Sequence, residues 1–228
     1  MAIETAANFT QLSGLGRRAV KATAWLVDLV FPPICANCGR VDAGFCSVCR
    51  RELARCPVEI SHYSLGGLDG VCATGKQHGV LGAAVKAFKY ESATDLRDLL
   101  TERLCAALRE QAWQLDAVVP VPLHADRLLE RGYNQSALLG ERLAQEHKVR
   151  YRPDLLGRIR STGQQALLTG SERMQNVAGA FAADGRVSDL SVLLIDDVVT
   201  TGATLSECAA ALRARHAARV YAIVVSHA

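Results

Sequence analysis

Apolar residues recur at alternating steps of four and three along the first thirty or so positions. Leu15, Ala19, Ala22, Leu26 and Leu29 fall on one face of a helix predicted over residues 9–31. Arg17, Arg18 and Lys21 lie largely off that stripe, and Pro32-Pro33 stops the helix. Helical spacing also marks residues 80–89, 94–110, 134–147 and 203–215. Between them stand short, unbroken apolar runs at 116–121 (Asp-Ala-Val-Val-Pro-Val), 192–195 and 220–225, with a further strand expected over 150–156. Such runs indicate strands buried on both faces. Their alternation with helices predicts an α/β fold around a parallel sheet. Glycines and short Val and Leu pieces over 57–79 read as turns and edge strands, and 157–180 as a long loop with a short helix.

Composition narrows this reading. A chain of 228 residues accommodates one ordinary domain with a small appendage. With 50% hydrophobic and 21% charged residues it is globular and not disordered. A net charge of +3 is too mild to announce a nucleic-acid binder, and 5% aromatic content argues against a protein built on base-stacking platforms. The apolar stretch at 22–34 is interrupted by Asp28 and falls short of the ~20 apolar residues that a membrane span needs. Internal charges and the lack of a small-x-small pattern before Pro32 weigh against a signal peptide. A cytoplasmic chain with reduced thiols is expected.

Half of the eight cysteines form a pattern. Cys35-Ala-Asn-Cys38 and Cys46-Ser-Val-Cys49 are two C-x-x-C pairs, with Gly39 just after the first. Each pair can fold into a tight knuckle, and two knuckles supply the four thiolates that a structural zinc ion prefers. A redox dithiol pair and an iron–sulfur cluster are the competing readings. Cys56 is a less well spaced ligand. Cys72, Cys105 and Cys208 sit in apolar or helical contexts, as small core residues do.

The most informative stretch is Val192-Leu-Leu-Ile-Asp-Asp-Val-Val-Thr-Thr-Gly-Ala-Thr204. Asp196 and Asp197 follow four apolar strand residues, at the C-terminal edge where open α/β sheets bind ligands. Thr200, Thr201, Gly202, Ala203 and Thr204 then lead into a helix. Small residues there let the backbone wrap an anion, and a helix N-terminus aims free N–H groups at it. The adjoining acids suit a ribose diol, a Mg²⁺ ion, or both. An ordinary strand-to-helix turn leaves two adjacent carboxylates without a reason.

This stretch resembles the phosphoribosyl pyrophosphate (PRPP) motif of type I phosphoribosyltransferases at every position. The resemblance extends to the ComF family, in which a cysteine-rich zinc module precedes a phosphoribosyltransferase domain. It is carried by Phe31-Pro-Pro-Ile-Cys-Ala-Asn-Cys38, Phe88-Lys-Tyr90, Val119-Pro-Val-Pro-Leu123, Arg131-Gly-Tyr-Asn-Gln135, Gln164, Arg173, Asn176 and the PRPP loop. It implies a parallel-sheet type I phosphoribosyltransferase fold over residues 57–228, after an N-terminal helix and a four-cysteine zinc module over residues 1–56.

The same resemblance implies site roles. Asp196 and Asp197 would contact the ribose hydroxyls, directly or through Mg²⁺, and residues 200–204 would anchor the 5′-phosphate. The loop over 122–133 would hold the pyrophosphate, through Arg131 and Arg127 with His124, and Lys89 is a further candidate. Solvated helix positions are the plainer reading of Arg127 and Lys89. Residues 158–176 would close over the donor, with Arg158, Arg160 and Arg173 as charge partners. Family members are associated with natural transformation and uptake of single-stranded DNA. Three functions are therefore weighed: a Mg²⁺-dependent phosphoribosyltransferase of unknown acceptor, a non-catalytic PRPP or nucleotide sensor, and an accessory protein handling single-stranded DNA or a DNA-uptake helicase.

Overall fold

A computed structural model describes residues 32–41, 43–91, 93–160 and 177–228. The helix expected over 9–31 lies outside the described residues. So do Phe31, Gln164, Arg173, Asn176 and most of the loop expected over 157–180.

The order of elements is α1 (Ser47–Arg55), β1 (Ser61–Tyr63), β2 (Gly70–Ala73), α2 (Gly79–Tyr90), α3 (Arg97–Arg109), β3 (Ala117–Pro120), α4 (Ala125–Arg131), α5 (Gln135–His147), β4 (Arg150–Tyr151), β5 (Leu156–Arg158), β6 (Phe181–Ala183), β7 (Ser191–Val199), α6 (Ala203–Arg213) and β8 (Arg219–His227). Six strands form one sheet in the order β1-β2-β8-β7-β3-β4. Every pairing in it is parallel except β1 with β2. β5 and β6 make a separate antiparallel ribbon. The α/β architecture and its mainly parallel sheet match the expectation from the apolar runs.

Period-two geometry explains why those runs are unbroken. Successive residues of β7 project to opposite faces. Leu193 and Ile195 join a core with Val118, Ile223, Phe88, Leu100 and Leu139, beneath α2, α3 and α5. Val192 and Leu194 join a second core with Val119, Val220, Ala222, Leu205 and Leu212, beneath α6 and the β5–β6 ribbon. With both faces covered, no position in the middle of the strand is left for a polar residue.

Four local differences from the sequence reading have physical causes. β7 runs on through Asp196 and Asp197 to Val199, because backbone pairing with β8 continues as far as His227. β2 is an interior strand and not an edge, paired on one side with β8 and on the other with β1. Residues 125–131 form a helix in which no residue is buried, so apolar periodicity could not reveal it. Residues 150–156 split into the short β4, a 3₁₀ turn at Pro153–Leu155, and the start of β5 in the other sheet.

The cysteine segment shares the first core. Phe45 and Leu53 are each 1% exposed and pack with Leu81, Phe88 and Leu96. Buried Arg103 of α3 ties the exit from this segment to the sheet. Its guanidinium donates to the carbonyls of Cys56 (2.7 Å), Pro57 (2.8 Å) and Thr74 (3.0 Å).

Candidate functional site

Parallel strands deliver their C-terminal ends, and the loops that follow, to one side of a sheet. Here the ends of β2, β3 and β7 lead into residues 74–79, 121–124 and 200–202, which border a cleft of 910 Å³. The cleft gathers Lys89, His124, Arg127, Arg131, Asp196, Asp197, Thr200, Thr201, Gly202, Ala203 and Thr204 from separate stretches of chain. Arg158, at the end of β5, lines it too.

The turn after β7 takes its shape from Gly202, the N-cap of α6, which has φ of +77°. A Cβ there would also stand 2.5 Å from the Leu65 side chain, so both conformation and space require glycine. Thr201 Oγ1 accepts from the Ala203 N–H at 3.4 Å, which turns the chain into the helix.

The two carboxylates have different surroundings. Asp197 is buried at 6% exposure and its Oδ1 accepts from Lys89 Nζ at 2.9 Å. Asp196 is half-buried. Its Oδ1 accepts from Ser136 Oγ at 3.0 Å and from the Asp197 N–H at 2.9 Å. Burial, then the charge of Asp197, push the Asp196 carboxyl up to about 7, against the opposing pull of Lys89. Burial works to lower the pKa of Lys89, but the charges of Asp197 and Asp196 outweigh it and hold the ammonium above its ordinary value.

The cations of the following loop are arranged by short-range pairing. His124 caps α4, with Nδ1 3.4 Å from the Asp126 N–H and 3.1 Å from Asp126 Oδ2. Arg127 pairs with Glu130 one turn on, at 3.1 Å. Arg131 donates to Gln135 Oε1 at 2.8 Å and lies 5.2 Å from the centre of the Tyr90 ring. Arg158 lies 5.4 Å from the Phe181 ring, and burial lowers its pKa. Arg160 donates to the Ala178 carbonyl.

Gln77, His78 and Ser136 line the cleft but escape the sequence reading, while Tyr90 and Gln135 appear there in motifs without a site role. The first two follow β2, whose interior position brings its exit loop to the cleft. A short Gly-Val-Cys-Ala strand carries too weak a pattern to reveal this. Gln135 ends the Arg-Gly-Tyr-Asn-Gln motif and Ser136 follows it at the start of α5, so proximity to that motif is the available signal for Ser136.

Away from the cleft, Cys35, Cys38, Cys46 and Cys49 place their four sulfurs within 4.8 Å of one another. Cys38 and Cys46 sulfurs are 3.7 Å apart. Ligands at about 2.3 Å in a tetrahedron stand about 3.8 Å apart, so this cluster can hold a structural metal. The Cys46 N–H donates to Cys35 Sγ at 3.4 Å and Asn37 Nδ2 to Cys49 Sγ at 3.3 Å. Burial raises Cys35, but the N–H groups of Cys46, Cys38 and Asn37 prevail and bring it down to about 6. Cys72, Cys105 and Cys208 are buried in the cores.

An acidic pair on a central parallel strand, followed by a small-residue turn into a helix, thus lines one cleft with basic side chains from separate stretches of chain. No family model matches the chain. It is 28% identical over 193 residues to competence protein F of Haemophilus influenzae, an alignment covering 75% of this chain and 84% of that protein. It is 37% identical over 131 residues to DNA utilization protein YhgH of Salmonella typhimurium, 57% of this chain and 58% of that one. Competence protein ComFC of Bacillus subtilis matches at 35% identity over 89 residues, 39% of this chain and 34% of that one. The chain is thus similar to proteins named for competence and DNA utilization, in line with the resemblance that its motifs carry. Among solved structures, the glutamine PRPP amidotransferase of B. subtilis, complexed with ADP and GMP, aligns with TM-score 0.41 and 21% identity over 61% of this chain and 30% of its own.

Proposed function

We propose that this protein binds PRPP with Mg²⁺ in the cleft and transfers the phosphoribosyl group to an acceptor, in a process linked to DNA uptake. The observation that carries this is the convergence of Asp196–Asp197, the turn at 200–204 and the side chains of Lys89, Arg127, Arg131 and Arg158 on one cleft. Each part matches one part of the donor. The backbone N–H groups and threonine hydroxyls of 200–204 suit the 5′-phosphate. The carboxylates suit the ribose diol. Arg131, Arg127, His124 and Lys89 suit the pyrophosphate, and planar guanidinium groups can grip phosphate with two N–H donors.

The acids also fit Mg²⁺. Asp196 and Asp197 are adjacent carboxylates with one ammonium, that of Lys89, bonded to Asp197, so a divalent cation beside them would meet two oxygen-donor groups. Asp196 and Asp197 are the groups that would hold the ion, which when bound neutralises charge on the departing pyrophosphate. The chain's own contribution is positioning and electrostatics. The turn at 200–204 fixes the phosphate end, the acids fix the ribose ring, and the cations stabilise charge that grows as the bond to the anomeric carbon breaks.

The cysteine cluster we assign to structural zinc, closing a module over residues 1–56 ahead of a phosphoribosyltransferase-like domain over residues 57–228. Among the described residues no helix is long and apolar enough to cross a membrane, and we place the protein in the cytoplasm. The relatives' names, competence protein and DNA utilization protein, support the link to DNA uptake and make single-stranded DNA or a DNA-uptake helicase the partners to test.

Calorimetric titration with PRPP at millimolar Mg²⁺ tests the donor site, and saturable binding is expected. A screen for pyrophosphate release against bases, amines and oligonucleotides then tests transfer. Binding without release with any acceptor would make the protein a sensor. No binding at all would end both readings.

A further inference from the structure

Two short sequence motifs, distant in the chain, meet residue by residue in the fold. Phe88, Lys89 and Tyr90 close α2. Tyr133 Oη donates to the Phe88 carbonyl at 2.5 Å. Gln135 Nε2 donates to the Lys89 carbonyl at 3.3 Å. Arg131 lies over the Tyr90 ring. The last four carbonyls of a helix have no partner within it, and here two of them are met by side chains from the start of another helix. Between these contacts, Asn134 caps α5 and donates from Nδ2 to the Val121 carbonyl at 3.0 Å, which holds the bracket to the exit of β3.

Gln135 stands at the centre. It is 1% exposed, and a buried primary amide is costly unless both its ends are bonded. Its two ends serve two different cations of the cleft: Oε1 accepts from Arg131, and Nε2 holds the backbone of Lys89, whose ammonium reaches Asp197. A residue needed only to cap α2 has no reason to engage Arg131, and one needed only to orient Arg131 has no reason to engage α2. We infer that Gln135 is a positioning residue that joins Arg131 and Lys89 into one rigid unit, fixing the Lys89 ammonium against Asp197 and the Arg131 guanidinium over the Tyr90 ring. This rests on the donor reading for its consequence in binding, while the geometry of Lys89 can be tested without any donor.

Two measurements test it on the full chain. The first is acetylation of lysine ε-amines by acetic anhydride, read by mass spectrometry in the absence of PRPP. In the wild type Lys89 reacts far more slowly than exposed Lys76. In Gln135→Leu its rate rises severalfold while that of Lys76 stays the same. Gln135→Glu, of equal size, keeps the acceptor for Arg131 but removes the donor to the Lys89 carbonyl, so it also accelerates Lys89 and serves should the leucine variant fail to fold. The second is PRPP affinity by calorimetry across wild type, Gln135→Leu, Lys89→Met and the double variant. Each single substitution weakens binding about five- to tenfold, the scale of a lost hydrogen bond or charge contact, and the double is little weaker than Lys89→Met alone. Unchanged Lys89 reactivity in both Gln135 variants, or fully additive losses in the double, would overturn the inference. A wild-type protein that binds no PRPP defeats the donor reading, and the acetylation result then decides the positioning role alone.

Discussion

Lys89 Nζ and Asp197 Oδ1 meet at 2.9 Å although 108 positions separate them in the chain. The contact joins the last turn of α2 to the C-terminal part of β7, and both residues line the cleft. Asp197 is nearly inaccessible to solvent, and the Lys89 ammonium is the cation that its carboxylate meets.

Removing Lys89 should therefore cost stability as well as binding. Lys89→Met leaves a buried carboxylate without its ammonium, a loss of about 3 kcal/mol when both groups are fully buried and less here, where Lys89 keeps some contact with water. Adding Asp197→Asn to Lys89→Met should restore most of it. Urea denaturation of the three variants gives the comparison. Equal stability of Lys89→Met and wild type would show that the pair contributes nothing.

Asp196 predicts a pH dependence of known sign. Its carboxyl titrates near 7 in the fold, against an ordinary value of 3.8, so the native state holds the proton more tightly. This group therefore destabilises the fold above pH 7, and the penalty fades as pH falls toward 4. Asp196→Asn should raise the melting temperature at pH 8 in metal-free buffer, and the gain should vanish near pH 4. A gain that is the same at both pH values would mean that the carboxyl is not perturbed. The same variant combined with Asp197→Asn should abolish PRPP binding without loss of fold.

Gly202 offers a test of the turn. Alanine there meets both a positive φ and the Leu65 side chain, at a cost of about 1–3 kcal/mol, and it displaces the N-terminus of α6. Leu65→Ala should relieve the steric part and leave the conformational part. A Gly202→Ala protein as stable as wild type would contradict the described turn.

Zinc assigned to the cysteine cluster predicts about one metal ion per purified chain, lost in Cys46→Ser. Chelation should lower the melting temperature of the whole described fold and not only of the knuckles, because Phe45 and Leu53 belong to the core beneath α2 and α3. Elemental analysis and calorimetric melts report on both, and metal-free protein with an unaltered melt would exclude the assignment.

How much of this is legible beforehand follows from the physics of each signal. Residues 192–195 and 220–225 are readable as strands because both faces of the sheet are covered. The turn at 200–204 is readable because only a small set of residue types can wrap an anion at a helix start. α4 is not, since a helix with no buried face leaves no apolar period. β2 reads as an edge in the sequence, because its place between β1 and β8 depends on pairings across more than a hundred residues.

Local chemistry alone thus determined the parallel α/β class, the metal-binding spacing of the four cysteines, and the acidic pair with its anion-wrapping turn. Each is written in contiguous residues whose types and intervals permit few alternatives. The tertiary structure decided which cations face that turn, that Asp197 carries Lys89 as partner while Asp196 is left to Ser136, and that Gln135 binds two cleft cations together. These are contacts between residues far apart in the chain. They exist only once burial of both sheet faces has fixed the order of the strands.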